Sequence, residues 1–140
     1  MTTKKYELID HTADLGLMIY GNHFFELLQN AAYALTDQMV ETASIDKDQT
    51  REIIIEGQSN DEIFIRFLRE LLFLFETQLF LCSELTVNNL DSQKIHFKLK
   101  GDFFDIHKYS LKTQIKAITY HDFKIEKKTD GLVATLILDI

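Results

Sequence analysis

Residues 132–139 read Leu-Val-Ala-Thr-Leu-Ile-Leu-Asp, and this segment constrains the fold more than any other. In an extended chain successive side chains point to opposite faces. Here Leu132, Leu136 and Leu138 fall on one face, and Val133 and Ile137 on the other. A strand that is apolar on both faces belongs at the centre of a sheet, covered on each side. The remaining elements must be arranged around it.

Two helices follow from periodicity. Phe24, Leu27, Leu28, Ala31, Ala32, Leu35 and Met39 recur at helical spacing and make one apolar stripe, with Asn22 as the expected N-cap. Phe64, Phe67, Leu68, Leu71, Leu72, Phe75 and Leu79 form the buried face of a second helix, opposite a polar stripe of Arg66, Arg69 and Glu70. Ser59 and Glu62 ahead of it fit a capping box. Phe73 falls near the polar stripe, either as an exposed aromatic anchor for a partner or, more commonly for such residues, covered by a neighbouring strand or loop.

Strands are expected at 6–9, 15–20, 52–56, 84–89, 94–100 and 123–127, with a loop or short helix over 102–117. Gly16, Gly21, Gly57, Gly101 and Gly131 lie where element boundaries are expected, and Gly16 is expected to let the backbone turn. No linker or repeat divides the chain, so residues 1–140 read as one α+β domain, with the two amphipathic helices packed on a largely antiparallel or mixed sheet.

Charge narrows the function. There are 15 Lys and Arg against 22 Asp and Glu, a formal net charge of -7. A protein that holds nucleic acid by itself normally presents a basic face, so stable direct RNA binding is not expected. Lys124, Lys127 and Lys128 form a local basic group that reads as a solvated strand end. With one cysteine, Cys82 beside Phe80 and Leu81, neither an internal disulfide nor a cysteine-rich zinc site can form. The amino terminus lacks an apolar signal core, and Arg66, Arg69, Glu70 and Glu76 interrupt the one long greasy stretch. A cytoplasmic protein without a membrane span is the expectation.

The chemistry gathers at the carboxyl end. Asp139 is followed only by Ile140, so its side chain and the main-chain carboxylate of Ile140 lie within a few ångströms. Paired carboxylates held in place repel unless a proton or cation lies between them, and a hard divalent cation (Ca²⁺, Mg²⁺ or Mn²⁺) is their natural partner. The plainer reading is a solvated pair. Asp10, His11 and Asp14 crowd the loop between the first two strands, where Asp commonly caps backbone amides. One carboxylate from this loop would complete an oxygen-rich site, provided the fold brings it to the chain end. No nucleophile elbow and no phosphate-cradling glycine loop is present, and His107 and His121 lack partners at zinc-ligand spacing.

Four blocks, in order, are similar to the archease family: Asp10-His11-Thr12-Ala13-Asp14-Leu15-Gly16, Glu70-Leu71-Leu72-Phe73-Leu74-Phe75-Glu76, Ile115-Lys116-Ala117-Ile118-Thr119-Tyr120-His121, and the ending Leu138-Asp139-Ile140. Together they span nearly the whole chain. The resemblance implies an α+β fold and a non-enzymatic role: activating an RtcB-type RNA ligase, which joins 3′-phosphate ends in tRNA splicing or RNA repair. It implies help with ligase guanylylation and multiple turnover, with GTP and Mn²⁺ belonging to the ligase. It also implies a metal site, with calcium expected, on Asp14, Asp139 and Ile140, and supporting or contact roles for Asp10, His11 and His121. Arg69, Gln114 and Tyr109 depart from common family residues, away from these ligands. Two rival functions remain at this level, a metal-dependent phosphoesterase acting alone on RNA ends and a chaperone-like modulator.

Overall fold

The computed structural model describes residues 4–9, 13–91 and 93–140. Two antiparallel sheets flank two helices. The larger sheet contains β1 (Tyr6–Ile9), β2 (Leu15–Gly21), β6 (Ala117–Ile118), β7 (Lys124–Lys128) and β8 (Gly131–Asp139). The smaller contains β3 (Gln49–Glu56), β4 (Phe80–Asp91) and β5 (Lys94–Phe103), in the order β3-β5-β4. The helices are α1 (Phe24–Met39) and α2 (Asn60–Gln78). An α+β domain was expected; its division into two sheets was not visible in strand patterns, which do not report which strands pair.

β8 is central, as its two apolar faces require. β2 pairs along one edge, and β6 and β7 pair along the other. Leu136 and Leu138 are fully buried on one face, and Ile137 is 2% exposed on the other.

Each helix touches both sheets: α1 meets β1, β2 and β8 on one side and β4 on the other, while α2 meets β6 and also β3 and β4. Two-sided cover explains how wide the buried arc of α2 is. Ile63, Phe64, Ile65, Phe67, Leu68, Leu71, Leu72 and Leu74 are all buried, an arc of roughly 200° at 3.6 residues per turn. Phe67 stacks on Phe97 of β5 at 4.6 Å between centroids, and Phe64 stacks on Phe123 beside β7 at 5.4 Å, so one helix links the two sheets.

Several local expectations are corrected. The N-cap of α1 is His23, not Asn22: the chain is still extended at His23, whose Nδ1 accepts the Glu26 N–H at 3.2 Å. The Glu26 carboxylate in turn accepts the Asn22 N–H at 2.8 Å. Ser59 caps α2 by accepting the Glu62 N–H, but Glu62 reaches back to the N–H of Gln58 rather than that of Ser59, so the capping box is only half formed. Leu79 is not on the buried face. It takes the left-handed conformation (φ 59°) as the C-cap and is exposed. Phe73 is 54% exposed, not covered by a neighbouring strand or loop among the described residues.

The glycines divide differently from expectation. Gly16 and Gly101 lie inside β2 and β5 rather than at turns, and serve close approach. A Cβ at Gly101 would come 1.7 Å from the Leu81 carbonyl oxygen, where β4 bulges between Cys82 and Glu84. A Cβ at Gly16 would meet the Ile9 side chain at 2.5 Å; Ile9 lies across Gly16, whose other neighbour in the sheet is Ile137. The turn before β2 is made by Ala13 instead, with φ 66°.

Residues 104–116 cross the molecule as loop, and a buried polar cluster holds them. One oxygen of the Asp102 carboxylate accepts from Lys108 Nζ at 2.8 Å and from the Tyr109 hydroxyl at 2.6 Å, and the other accepts the Phe103 N–H at 2.9 Å. Lys108 also pairs with Asp46, and the Tyr109 hydroxyl accepts the Asp46 N–H at 3.1 Å. The Lys108 and Tyr109 donors hold the Asp102 carboxyl below its ordinary value.

Two predictions follow from these contacts. Gly101→Ala should destabilise the protein by about 2 kcal/mol or more, because the clash is with backbone that cannot rotate away; chemical denaturation measures it, and an unchanged midpoint would contradict the bulge geometry. A carboxyl depressed in the folded state contributes stability at neutral pH that is lost as pH falls below about 4. The denaturation midpoint should therefore drop in acid, and less steeply in Asp102→Asn.

Candidate functional site

The β2–β8 ladder sets the geometry of the candidate site. Its last pair is Leu15 opposite Leu138, so Asp14 immediately precedes β2 where Asp139 ends β8. Alternation places Asp139 on the face that carries Gly16 and Ile137, away from the helices. Side chains opposite one another in an antiparallel pair have Cβ atoms about 5 Å apart, and like charges there are unfavourable. The fold thus brings the residue that precedes β2 to the end of β8.

Each strand end is held by its surroundings. β1 is tied to α1 and β2: Tyr6 donates to Asp37 of α1 at 2.5 Å, and Tyr20 of β2 donates to Glu7 of β1 at 2.5 Å. Burial and the Asp37 hydrogen bond push the Tyr6 hydroxyl up to about 12, so it stays protonated as a donor across the physiological range. Ala13, in a left-handed conformation that disfavours non-glycine residues, turns the chain immediately ahead of Asp14. On the other side β6 pairs Ala117 with Asp139 and Ile118 with Leu138, and the Lys116 N–H donates to the Asp139 carbonyl at 2.7 Å. Asp139 is therefore exposed in its side chain but fixed in its main chain, and Ile140 follows at the edge of the ladder.

His121 is near this end but not at it. β6 runs antiparallel to β8, so the chain recedes from the tip after Ile118. Thr119 donates its hydroxyl to the Ile137 carbonyl at 2.9 Å and accepts the His121 N–H at 3.2 Å. Asp122, left-handed at φ 53°, closes the turn, with its carboxylate 3.3 Å from His121 Nε2. Asp10 and His11 lie outside the described residues.

The side-chain carboxylates at this end of the strand pair are those of Asp14 and Asp139. Among the described residues no three His, Cys, Asp or Glu side chains gather into a metal-binding group. An all-oxygen set of this kind suits a hard cation such as Ca²⁺ or Mg²⁺ and is poor for zinc.

Two further residues shape the site. Lys116 supplies the amide that fixes Asp139 and places an exposed ammonium on the neighbouring strand end. Arg69 donates through Nε and Nη2 to the Ile118 carbonyl at 3.2 and 3.1 Å, and its guanidinium stacks on Tyr120 at 5.1 Å, clamping β6 to α2. In the sequence Arg69 is only one member of a polar stripe, since a contact 49 residues away leaves no local signal. Lys124, Lys127 and Lys128 are exposed on β7, with Lys124 and Lys128 paired to Glu126, a solvated strand.

Thr119→Val should cost about 1 kcal/mol and speed amide exchange over 119–122, because it removes both the bond to β8 and the acceptor for His121. Unchanged exchange there would show that the turn is held by other contacts.

The archease protein family matches residues 6–140. An archease from Archaeoglobus fulgidus is 38% identical over 138 residues, covering 97% of this chain and 99% of that protein. One from Sulfurisphaera tokodaii is 33% identical over 139 residues, with 98% and 99% covered. The solution structure of Methanobacterium thermoautotrophicum protein 1598 superposes with a TM-score of 0.82 at 25% identity, covering 97% of this chain and 99% of that one. The crystal structure of a Thermotoga maritima archease, described as a possible chaperone, shares the fold with a TM-score of 0.68 at 22% identity over 94% of each chain.

Proposed function

This chain belongs to the archease family, and we propose that it activates an RtcB-type 3′-phosphate RNA ligase through a divalent cation held by Asp14, Asp139 and the Ile140 carboxylate. The observation that supports the reading is the β2–β8 register, in which Asp14 immediately precedes β2 where Asp139 ends β8. Carboxylate oxygens gathered at one strand end are the ligand type that a hard divalent cation takes. The bound ion would supply positive charge that offsets phosphate charge during nucleotidyl transfer on the ligase.

The chain's own residues do the positioning. β1 and Ala13 deliver Asp14, and the Lys116 amide holds the Asp139 main chain. His121 and, in the preceding loop, Asp10 and His11 are proposed as supporting or contact residues. The net charge of -7 favours docking on a basic protein channel over RNA itself. GTP and Mn²⁺ are assigned to the ligase, and catalysis with them. Because a ligand of two states shifts their balance only by binding them unequally, any conformational effect requires tighter binding to the guanylylation-competent ligase. We place the activity in the cytoplasm; among the described residues no helix is long and apolar enough to cross a membrane.

The test is ligase guanylylation and RNA joining with limiting ligase, with and without this protein. Wild type should stimulate both, while Asp14→Ala and Asp139→Ala should abolish stimulation without lowering the melting temperature. Full stimulation by both variants would refute the cation reading. Hydrolysis of RNA 3′-phosphates by the purified protein alone would favour a phosphoesterase.

A further inference from the structure

The main chain of Asp139 is held differently from the rest of β8. The ladder with β2 ends one residue earlier, at Leu15 opposite Leu138, and β7 pairs with the other end of β8, from Gly131 to Thr135. Among the described residues the one ladder partner of Asp139 is Ala117 of β6, and the neighbouring Lys116 N–H bonds the Asp139 carbonyl at 2.7 Å. Where β8 ends is thus tied to where β6 lies.

β6 cannot hold that position by itself. It makes two ladder pairs, both with β8, and so short a pairing has little stability of its own. The Thr119 hydroxyl also bonds β8, at the Ile137 carbonyl. All of these contacts join β6 to β8, so they would move together if the strand end frayed, as chain ends commonly do. Among the described residues, the hydrogen bonds that tie residues 117–119 to a different layer are those of Arg69 on α2. Its Nε and Nη2 both donate to the Ile118 carbonyl, at 3.2 and 3.1 Å.

Arg69 is suited to this task. Its neighbours Phe67 and Leu68 are fully buried, so the helix backbone that carries it is fixed by the core. The guanidinium lies over the Tyr120 ring at 5.1 Å; that ring meets Phe123 edge-on, and Phe123 stacks on Phe64 of the same helix. The fork of a guanidinium is planar and permanently charged, so the double bond to one carbonyl is directional and does not loosen with pH.

We infer that Arg69 is a positioning residue for the cation site: by tying β6 to α2 it fixes the main chain of Asp139, so that the carboxylate meets an ion at a set place. The inference rests on the proposed function, and it concerns how the site is held rather than which groups bind the ion. A ligand free to move must be ordered when the ion binds, and that ordering weakens affinity.

The experiment titrates Ca²⁺ and Mg²⁺ calorimetrically into the metal-stripped full chain, comparing wild type with Arg69→Ala, Arg69→Lys and Arg66→Ala well below their melting temperatures. Amide exchange is followed on the metal-free proteins. Arg66 lies on the same stripe of α2 but bonds the Glu56 carbonyl, so its loss removes an equal charge without touching β6. Arg69→Ala should bind the ion about tenfold more weakly and exchange the Lys116 amide faster. Arg69→Lys, which lacks the fork, should fall between it and wild type, and carries the test alone if Arg69→Ala does not fold. Arg66→Ala should match wild type in both measurements. Arg69 variants that bind as tightly as wild type, or an Arg66→Ala protein weakened as much as they are, would overturn the inference and leave the cation reading standing. No saturable binding of either ion by wild type would overturn both.

Discussion

The antiparallel pairing of β2 with β8 is the constraint on which the rest depends. It runs over seven residue pairs from Gly21 opposite Leu132 to Leu15 opposite Leu138. Because side chains alternate, a slip of one residue would turn Leu136 and Leu138 out of the core and bring Ile137 in, so burial enforces the register. The same register sets where the strands end. The end of β8 at Asp139 therefore lies beside the start of β2, which Asp14 immediately precedes.

The helices extend that constraint through the molecule. α2 carries Phe67 against the smaller sheet and Phe64 against the larger, and its Arg69 grips β6 next to Asp139. β6 is only two residues long and has little of its own to hold it. Its position is over-determined from outside: by the ladder with β8, by Arg69, by the Thr119 hydroxyl, and by the Asp102 cluster that fixes the loop leading to it. Arg66, Arg69, Glu70 and Phe73 of α2 also line a groove beside β3 with Ile54, Ile55 and Glu56.

How much of this can be read from the sequence follows from which signals are local. The helices, the central strand and the buried Cys82 are carried by periodicity and composition, and the structure agrees with them. The N-cap moves from Asn22 to His23 because two residues that can cap lie side by side and the φ/ψ of the chain chooses between them. Leu79 continues the apolar period but closes the helix as a left-handed cap. Gly16 and Gly101 resemble punctuation until the strands that cross them are known. For the site, Asp139 and Ile140 stand out as adjacent negative groups, whereas bringing Asp14 beside them needs the β2–β8 pairing, 120 residues apart in sequence, which only the resemblance pointed to in advance. The grip of Arg69 on β6 was not legible at all.

The central claim is that the paired carboxylates bind a cation, and calorimetric titration of Ca²⁺ and Mg²⁺ into metal-stripped protein tests it most directly. The account predicts one ion per chain, a melting temperature that rises with its concentration as binding to the folded state requires, and loss of both effects in Asp14→Asn and in Asp139→Asn. No saturable binding by wild type, or binding that survives both substitutions, would contradict it.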